Sequence, residues 1–269
     1  MSLVARTVQL YFQTQESRLN QPDLITFHIE FLSRTAPGPT SISITPLKLG
    51  RQFSTVRVQL LQQDKIYSEP RRCLEALVTQ GNLAREAQSR GLSLPTRPLS
   101  DKFSVPKKED CKEWIVPVEW PRSRPAGCKV TIFLPPGNGS FGASPTYGPS
   151  VKEEWVRWAP GIGKVFDVTS LPYLADCFGP LLEGYGVTGN WYPTLSYGME
   201  VKRGPPEGKE GWECLFLRVE MHEVRNGRFD LEVWILDEEG QVVAISRHTA
   251  LVVGSERNYK GRTVEGPKI

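Results

Sequence analysis

The run Thr169-Ser-Leu-Pro-Tyr-Leu-Ala-Asp-Cys-Phe178, followed by Tyr192-Pro-Thr-Leu-Ser-Tyr-Gly-Met-Glu-Val-Lys202, decides the reading of this chain, because its plan occurs twice. Near the N-terminus, Ser2 to Glu16 puts Leu3, Val4, Val8, Leu10, Tyr11 and Phe12 on one broad apolar face of a helix. Asn20, Pro22 and Asp23 end it, and Leu24-Ile-Thr-Phe-His-Ile-Glu-Phe-Leu32 follows as a strand. In both copies a meander of alternating strands comes next. A helix followed by such a meander predicts an α+β module in which one curved antiparallel sheet buries one helix. The second helix holds a carboxylate, Asp176, and that asymmetry points to the site.

Working outward, three more strands are expected in the first copy, at 40–49, 53–63 and 74–79. Ser54, Val56, Val58 and Leu60 share one face of the middle strand while Thr55, Arg57 and Gln59 share the other, as in a sheet with one face in the core. Gly38-Pro39 and Gly50-Arg51 break the strands. In the second copy Glu154-Trp-Val-Arg-Trp158 opens the strands, and Thr169 or Ser170 caps the helix with Pro172 in its first turn. Gly179-Pro180 stops that helix, and strands follow at 193–202, 212–225, 228–237 and 241–253. Asn226-Gly227 is a two-residue hairpin turn, and Glu238-Glu239-Gly240 another turn. The chain thus divides into a first module at 1–84, a Pro/Gly-rich linker at 85–150 and a second module at 151–269. One strand, Lys129-Val-Thr-Ile-Phe-Leu134, stands out in the linker, and Trp114, Trp120 and Phe133 pack it on the surface.

With 269 residues the chain is long enough for two cores, and 39% hydrophobic with 23% charged residues is the balance of a globular protein. A net charge of +3 gives no basis for nucleic-acid binding. No apolar run approaches the ~20 residues of a membrane helix. Arg6 and Gln9 break the opening as a signal peptide, and the final Pro-Lys-Ile is a poor match to a peroxisomal Ser-Lys-Leu, which leaves the cytosol as the expected compartment with peroxisomes open. Five scattered cysteines without a Cys-x-x-Cys pair speak for a reducing compartment and against a zinc site, and three histidines leave little for a metal centre.

A helix enclosed by an antiparallel sheet, twice in one chain, is the tandem or double hotdog plan. The residues resemble the acyl-CoA thioesterase II family and its fungal thioesterase-like relatives. The stretches that carry the resemblance are Thr26-Phe-His-Ile-Glu-Phe-Leu-Ser-Arg34 and Gly50-Arg-Gln-Phe-Ser-Thr-Val-Arg-Val58, then Leu171-Pro-Tyr-Leu-Ala-Asp176, Tyr192-Pro-Thr194 and Val243-Ala-Ile-Ser246. The resemblance implies hydrolysis of an acyl thioester, on coenzyme A or a carrier protein, with substrates that include polyketide-like chains. It also implies a polar trio: an Asp on the second helix, a Thr or Ser on the next strand and a Gln on the last. These fall on Asp176, Thr194 and, as a departure from Gln, His248. Family members open with a strand before the first helix, whereas this sequence begins almost inside that helix, so the first module is expected to lack its N-terminal strand. Hotdog modules pair, either within the chain or between copies.

In that reading Asp176 is the general base on water, Thr194 and His248 aim the water, and N–H groups at the start of helix 169–178 hold the oxyanion. No cofactor, metal or covalent intermediate is needed. An imidazole of ordinary basicity at 248 makes activity fall near pH 6–7. Trp191, Tyr192, Tyr197 and Phe178 are candidate acyl-tunnel walls, and Arg122, Arg124 and Lys129 candidate phosphate contacts. Each has a structural counterpart: a solvated Asp176, a strand-opening Thr194, a packed His248, core aromatics. His28 and His222 read as structural, and Cys177 as a buried thiol. Two other functions stay open, a hotdog dehydratase or hydratase using Asp and His, and a non-catalytic acyl-binding protein.

Overall fold

A computed structural model of the protein describes residues 1–63, 69–89, 91, 92, 94, 104–116, 125–139 and 142–254. Helix α1 spans Ser2–Thr14 and buries Val4, Ala5, Val8 and Phe12, an i, i+4, i+8 stripe. Asn20, at φ 50°, turns the chain into strand β1 (Asp23–Phe31). Strands β2 (Ser41–Lys48), β3 (Ser54–Gln62) and β4 (Arg71–Gly81) follow. In β3 every second residue from Ser54 is buried, as its alternation predicts. Helix α2 (Leu83–Gln88) starts at Asn82, whose side chain accepts from the Arg85 N–H.

The segment expected as a linker contributes to the sheet: β5 (Lys112–Glu113) pairs with β6 (Val130–Leu134), and β6 with β8 (Gly148–Trp158). The short β7 (Ala143–Ser144) also pairs with β8. The cause lies in the apolar Val130-Thr-Ile-Phe-Leu134, three of whose residues are buried, and in Trp114, which packs on the core. Trp120, Arg122 and Arg124 lie outside the described residues. Strand β8 also begins earlier than Glu154 suggested.

The second expected helix is much shorter than 169–178. Only Leu171–Leu174 forms α3, and the chain then tightens through bonds from Asp176 N to Tyr173 O and Cys177 N to Leu174 O. Next come β9 (Asn190–Trp191), β10 (Thr194–Val201), β11 (Leu215–Glu220), β12 (Val224–Arg225), β13 (Arg228–Leu236), β14 (Val242–Leu251) and β15 (Val253–Gly254). The single strand expected at 212–225 is therefore two. Asn226 and Gly227, at φ 51° and 74°, make the β12–β13 hairpin turn that their types predict.

The main path of the sheet runs β2-β3-β4-β1-β10-β14-β13-β11-β8-β6-β5. Counted outward from the β1–β10 seam, the first copy reads first, fourth, third and second strand. The second copy reads β10, β14, β13, β11, the same order once the short β12 is set aside. This is the duplication in spatial form, a double hotdog whose two sheets join edge to edge. At the seam Phe27 stands opposite Met199 and Ile29 opposite Tyr197. In the second copy β8 continues the sheet beyond β11, whereas β2 is the outer strand of the first. Buried side chains from both copies, including α1 and α3, form one core.

Candidate functional site

Helix α3 is held from three sides. Asp167 Oδ1 accepts from Thr169 Oγ1 at 2.9 Å and from the Ser170 N–H at 2.8 Å, so the cap is Asp167, not the Ser170 or Thr169 side chain. The Trp158 ring stacks on Tyr173 with centroids 5.5 Å apart, and its Nε1 donates to Val165 O. The Tyr173 N–H donates to Ser2 Oγ at 3.1 Å, which ties α3 to the start of α1. With Leu171, Leu174 and Ala175 fully buried, Asp176 is fixed at the end of the turn.

The carboxylate of Asp176 meets His248 of β14, with Oδ1 3.6 Å from Nδ1. The histidine side chain is fully buried, while 41% of the Asp176 side chain reaches solvent. His248 lies edge-on to Tyr197 at 4.7 Å between ring centroids, with Phe178 at 6.3 Å. Its Nε2 is 3.0 Å from Ser246 Oγ. Among the described residues Nδ1 makes no hydrogen bond, and 3.6 Å is longer than one. A neutral ring that accepts the Ser246 hydroxyl at Nε2 carries its proton on Nδ1, facing Asp176.

Burial sets the charge states. Desolvation pushes Asp176 up to about 6 and His248 down to about 4. At neutral pH the carboxylate is ionised and the imidazole neutral. The expected titration of His248 near pH 6–7 is thereby corrected: the group that titrates there is Asp176. The Tyr197 hydroxyl is pushed well above its ordinary value by burial and then by the charge of Asp176, with Ser246 opposing.

Thr194 opens β10 opposite Ala250 of β14, and a bulge between Thr194 and Ser196 precedes the Tyr197–His248 pair. Opposed residues share a face, so Thr194, Tyr197, Ser246 and His248 all point toward α3. Thr194 stands two residues along β14 from His248, and among the described residues no side-chain hydrogen bond joins it to His248 or Asp176. Tyr197 and Ser246 are the neighbours that the polar trio omits. Their signal was present in the alternation, since Ser246 is two residues from His248.

At the start of the second helix, where the oxyanion site was expected, three positions are already accounted for. The Ser170 N–H is taken by Asp167, Pro172 has none, and the Tyr173 N–H is taken by Ser2. Asp176 sits at the opposite, C-terminal end of the turn.

Each copy matches a family model. Residues 1–81 match the acyl-CoA thioesterase N-terminal domain, and residues 105–252 match the acyl-CoA thioesterase C-terminal domain. The chain belongs to the acyl-CoA thioesterase family. It is 29% identical to the thioesterase-like protein TwmA of Talaromyces wortmannii over 281 residues, covering 88% of this chain and 79% of that one. Among solved structures, a thioesterase II from Thermobifida fusca YX superposes with a TM-score of 0.68 at 21% identity, covering 92% and 85% of the two chains. The acyl-CoA thioesterase II TesB2 of Mycobacterium marinum gives 0.54 at 18%, covering 93% and 89%. These two likenesses show the shared hotdog fold.

This acyl-CoA thioesterase, a hydrolase by family, has other features that bound the chemistry. Burial pushes the Cys177 thiol up to about 12, which leaves it unreactive at neutral pH. Among the described residues no group of three or more His, Cys, Asp and Glu could hold a metal ion, and no helix is long and apolar enough to cross a membrane. A cleft of about 560 Å³ is lined by His28, Ser196, Arg247 and Thr249, and also by His248. The side chains of His28, Ser196, Arg247 and Thr249 alternate with those of Tyr197 and His248, so they stand on the face of the sheet away from Asp176. His28 and His222 sit on this outer face, paired with Glu30 and Asp230.

Proposed function

We propose that the protein hydrolyses an acyl thioester by general-base catalysis at Asp176. The observation that carries this is the Asp176–His248 pair, with an ionised carboxylate partly open to solvent beside a neutral, fixed imidazole. Asp176 takes a proton from water, and the water oxygen adds to the thioester carbonyl carbon. The tetrahedral intermediate expels the thiolate, which receives the proton back from Asp176, so acid and thiol leave and the enzyme is restored. His248 and Thr194 aim the water. The acyl carrier is coenzyme A or a carrier protein, and the chain is of the polyketide or fatty type. Five free cysteines favour a reducing compartment, here the cytosol.

The test is release of free thiol from acyl-CoA substrates by wild type and by Asp176→Asn. Loss in the variant supports the reading, and equal rates defeat it.

The same pair supports a second reading, dehydration of a 3-hydroxyacyl thioester. In the other tautomer, with Nε2–H donated to Ser246 Oγ and Nδ1 unprotonated, neutral His248 would take the proton next to the carbonyl, and protonated Asp176 would give its proton to the departing hydroxyl. The two readings differ in sign with pH: hydrolysis needs ionised Asp176 and rises above about 6, whereas dehydration needs the protonated acid and rises below it.

A further inference from the structure

The inner face of β8 carries a charged pair that the proposed hydrolysis does not use. Lys152 Nζ lies 3.2 Å from Glu154 Oε2, with side chains 4% and 0% exposed. Neither carboxylate oxygen of Glu154 has a hydrogen bond among the described residues. Burial raises this carboxyl while Lys152 lowers it. Buried ions persist when further hydrogen bonds satisfy them, and here lone pairs remain unused.

Strand pairing connects the pair to the proposed site. Lys152 stands opposite Val219 of β11, Val219 opposite Val233 of β13, and Val233 opposite Ser246 of β14. Ser246 is the hydrogen-bond neighbour of His248. Opposed residues share a face, so the strip from Ser246 to Lys152 crosses only two fully buried valines. Its length along the sheet is about 14 Å, three strand spacings. The strip is therefore apolar in the middle and polar at both ends.

We propose that Lys152 and Glu154 bind an oxygen substituent, a hydroxyl or a keto group, on the distal part of the acyl chain whose thioester lies at Asp176. The inference rests on the thioester reading of Asp176. The ammonium donates to the substituent oxygen, and the carboxylate accepts from a hydroxyl, which supplies Glu154 with the partner it lacks. A plain alkyl chain would place methylene groups against two charges.

The test uses the full chain and matched CoA esters of six, eight and ten carbons, with and without a terminal hydroxyl. For the length that spans the strip, wild type is expected to favour the hydroxylated ester in kcat/KM by about 10–100-fold, as for a hydrogen bond to a charged group. Lys152→Met/Glu154→Leu should lose that preference while still hydrolysing the plain ester. Glu154→Gln, close in size, should lose part of it and guards against misfolding of the double variant. Binding of the free acids, followed by fluorescence of Trp114 (its ring is 5.8 Å from Lys152 Nζ), gives a second readout. Hydroxy acids bound more tightly by wild type, with no thiol release from any ester, would overturn the thioesterase reading and keep this one. Equal treatment of plain and hydroxylated chains by wild type in both assays, or an unchanged preference in the folded variants, would overturn the proposal.

Discussion

Asp176 Oδ1 and His248 Nδ1 lie 3.6 Å apart, one at the end of a single helical turn and the other in the middle of a strand, with no direct hydrogen bond between them. At neutral pH the pair is thus an ionised base beside an uncharged imidazole. From this pair the first predictions follow.

Asp176→Asn keeps the side-chain shape and removes the base. Turnover in a thiol-release assay should fall by roughly 10²–10⁴-fold. The folded carboxyl sits near 6, above its ordinary 3.8, so ionised Asp176 costs stability at pH 8. A two-unit shift corresponds to about 3 kcal/mol. Because the carboxylate is partly open to solvent, screening reduces this, and the variant should be more stable by about 1 kcal/mol in urea unfolding. A variant less stable than wild type at pH 8 would contradict the desolvation account.

The kcat/KM profile should rise through about pH 6, as Asp176 ionises, and stay level to pH 8. His248→Gln should keep that acid limb at the same place. If the limb vanishes in His248→Gln, the imidazole is the titrating group and the assignment is reversed.

Stability should carry the opposite signature of His248. Its folded value, about 4, lies below the unfolded 6.5, so the unfolded chain binds the proton first. Wild type should lose up to about 3 kcal/mol relative to His248→Gln as pH falls from about 6.5 to 4. Parallel curves of urea midpoint against pH for the two proteins would refute this.

Ser246→Ala removes the hydroxyl beside His248 Nε2 and leaves a buried ring nitrogen without a partner. A stability loss of about 1–3 kcal/mol is expected, with kcat reduced more than KM is raised, because the ring no longer holds one orientation. Thr194→Val should cost little stability and about tenfold in kcat. An unchanged kcat would remove Thr194 from the water-aiming role.

The duplicated order of helix and strands was legible in the sequence because alternation in β3 and the helical stripe of α1 are strong, local patterns. The length of α3 was not. Residues 169–178 have helical composition, yet the last bonds tighten and the Tyr173 N–H is tied to Ser2, a partner far away in the chain. Strand β6 was readable from its apolar run, but its place beside β8 was not, since pairing partners leave no local mark. In the site, the resemblance named Asp176, Thr194 and His248. The bulge after Thr194 and the edge-on contact of Tyr197 with His248 arise from strand register, which spacing alone does not reveal.

At the seam, Phe27 and Tyr197 meet edge to face, 5.9 Å apart. Each has a neighbour on its own side: Val78 stands opposite Phe27, and His248 opposite Tyr197. The two hollows are alike in frame and unlike in polarity, so one copy can carry chemistry while the other serves as its brace. Because one sheet runs from β4 through β1 and β10 to β14, the brace is expected to melt together with the copy it supports. A protease nick between β4 and β5 would sever the backbone and still leave two fragments zipped together, migrating as one particle in native size separation and parting only in denaturant.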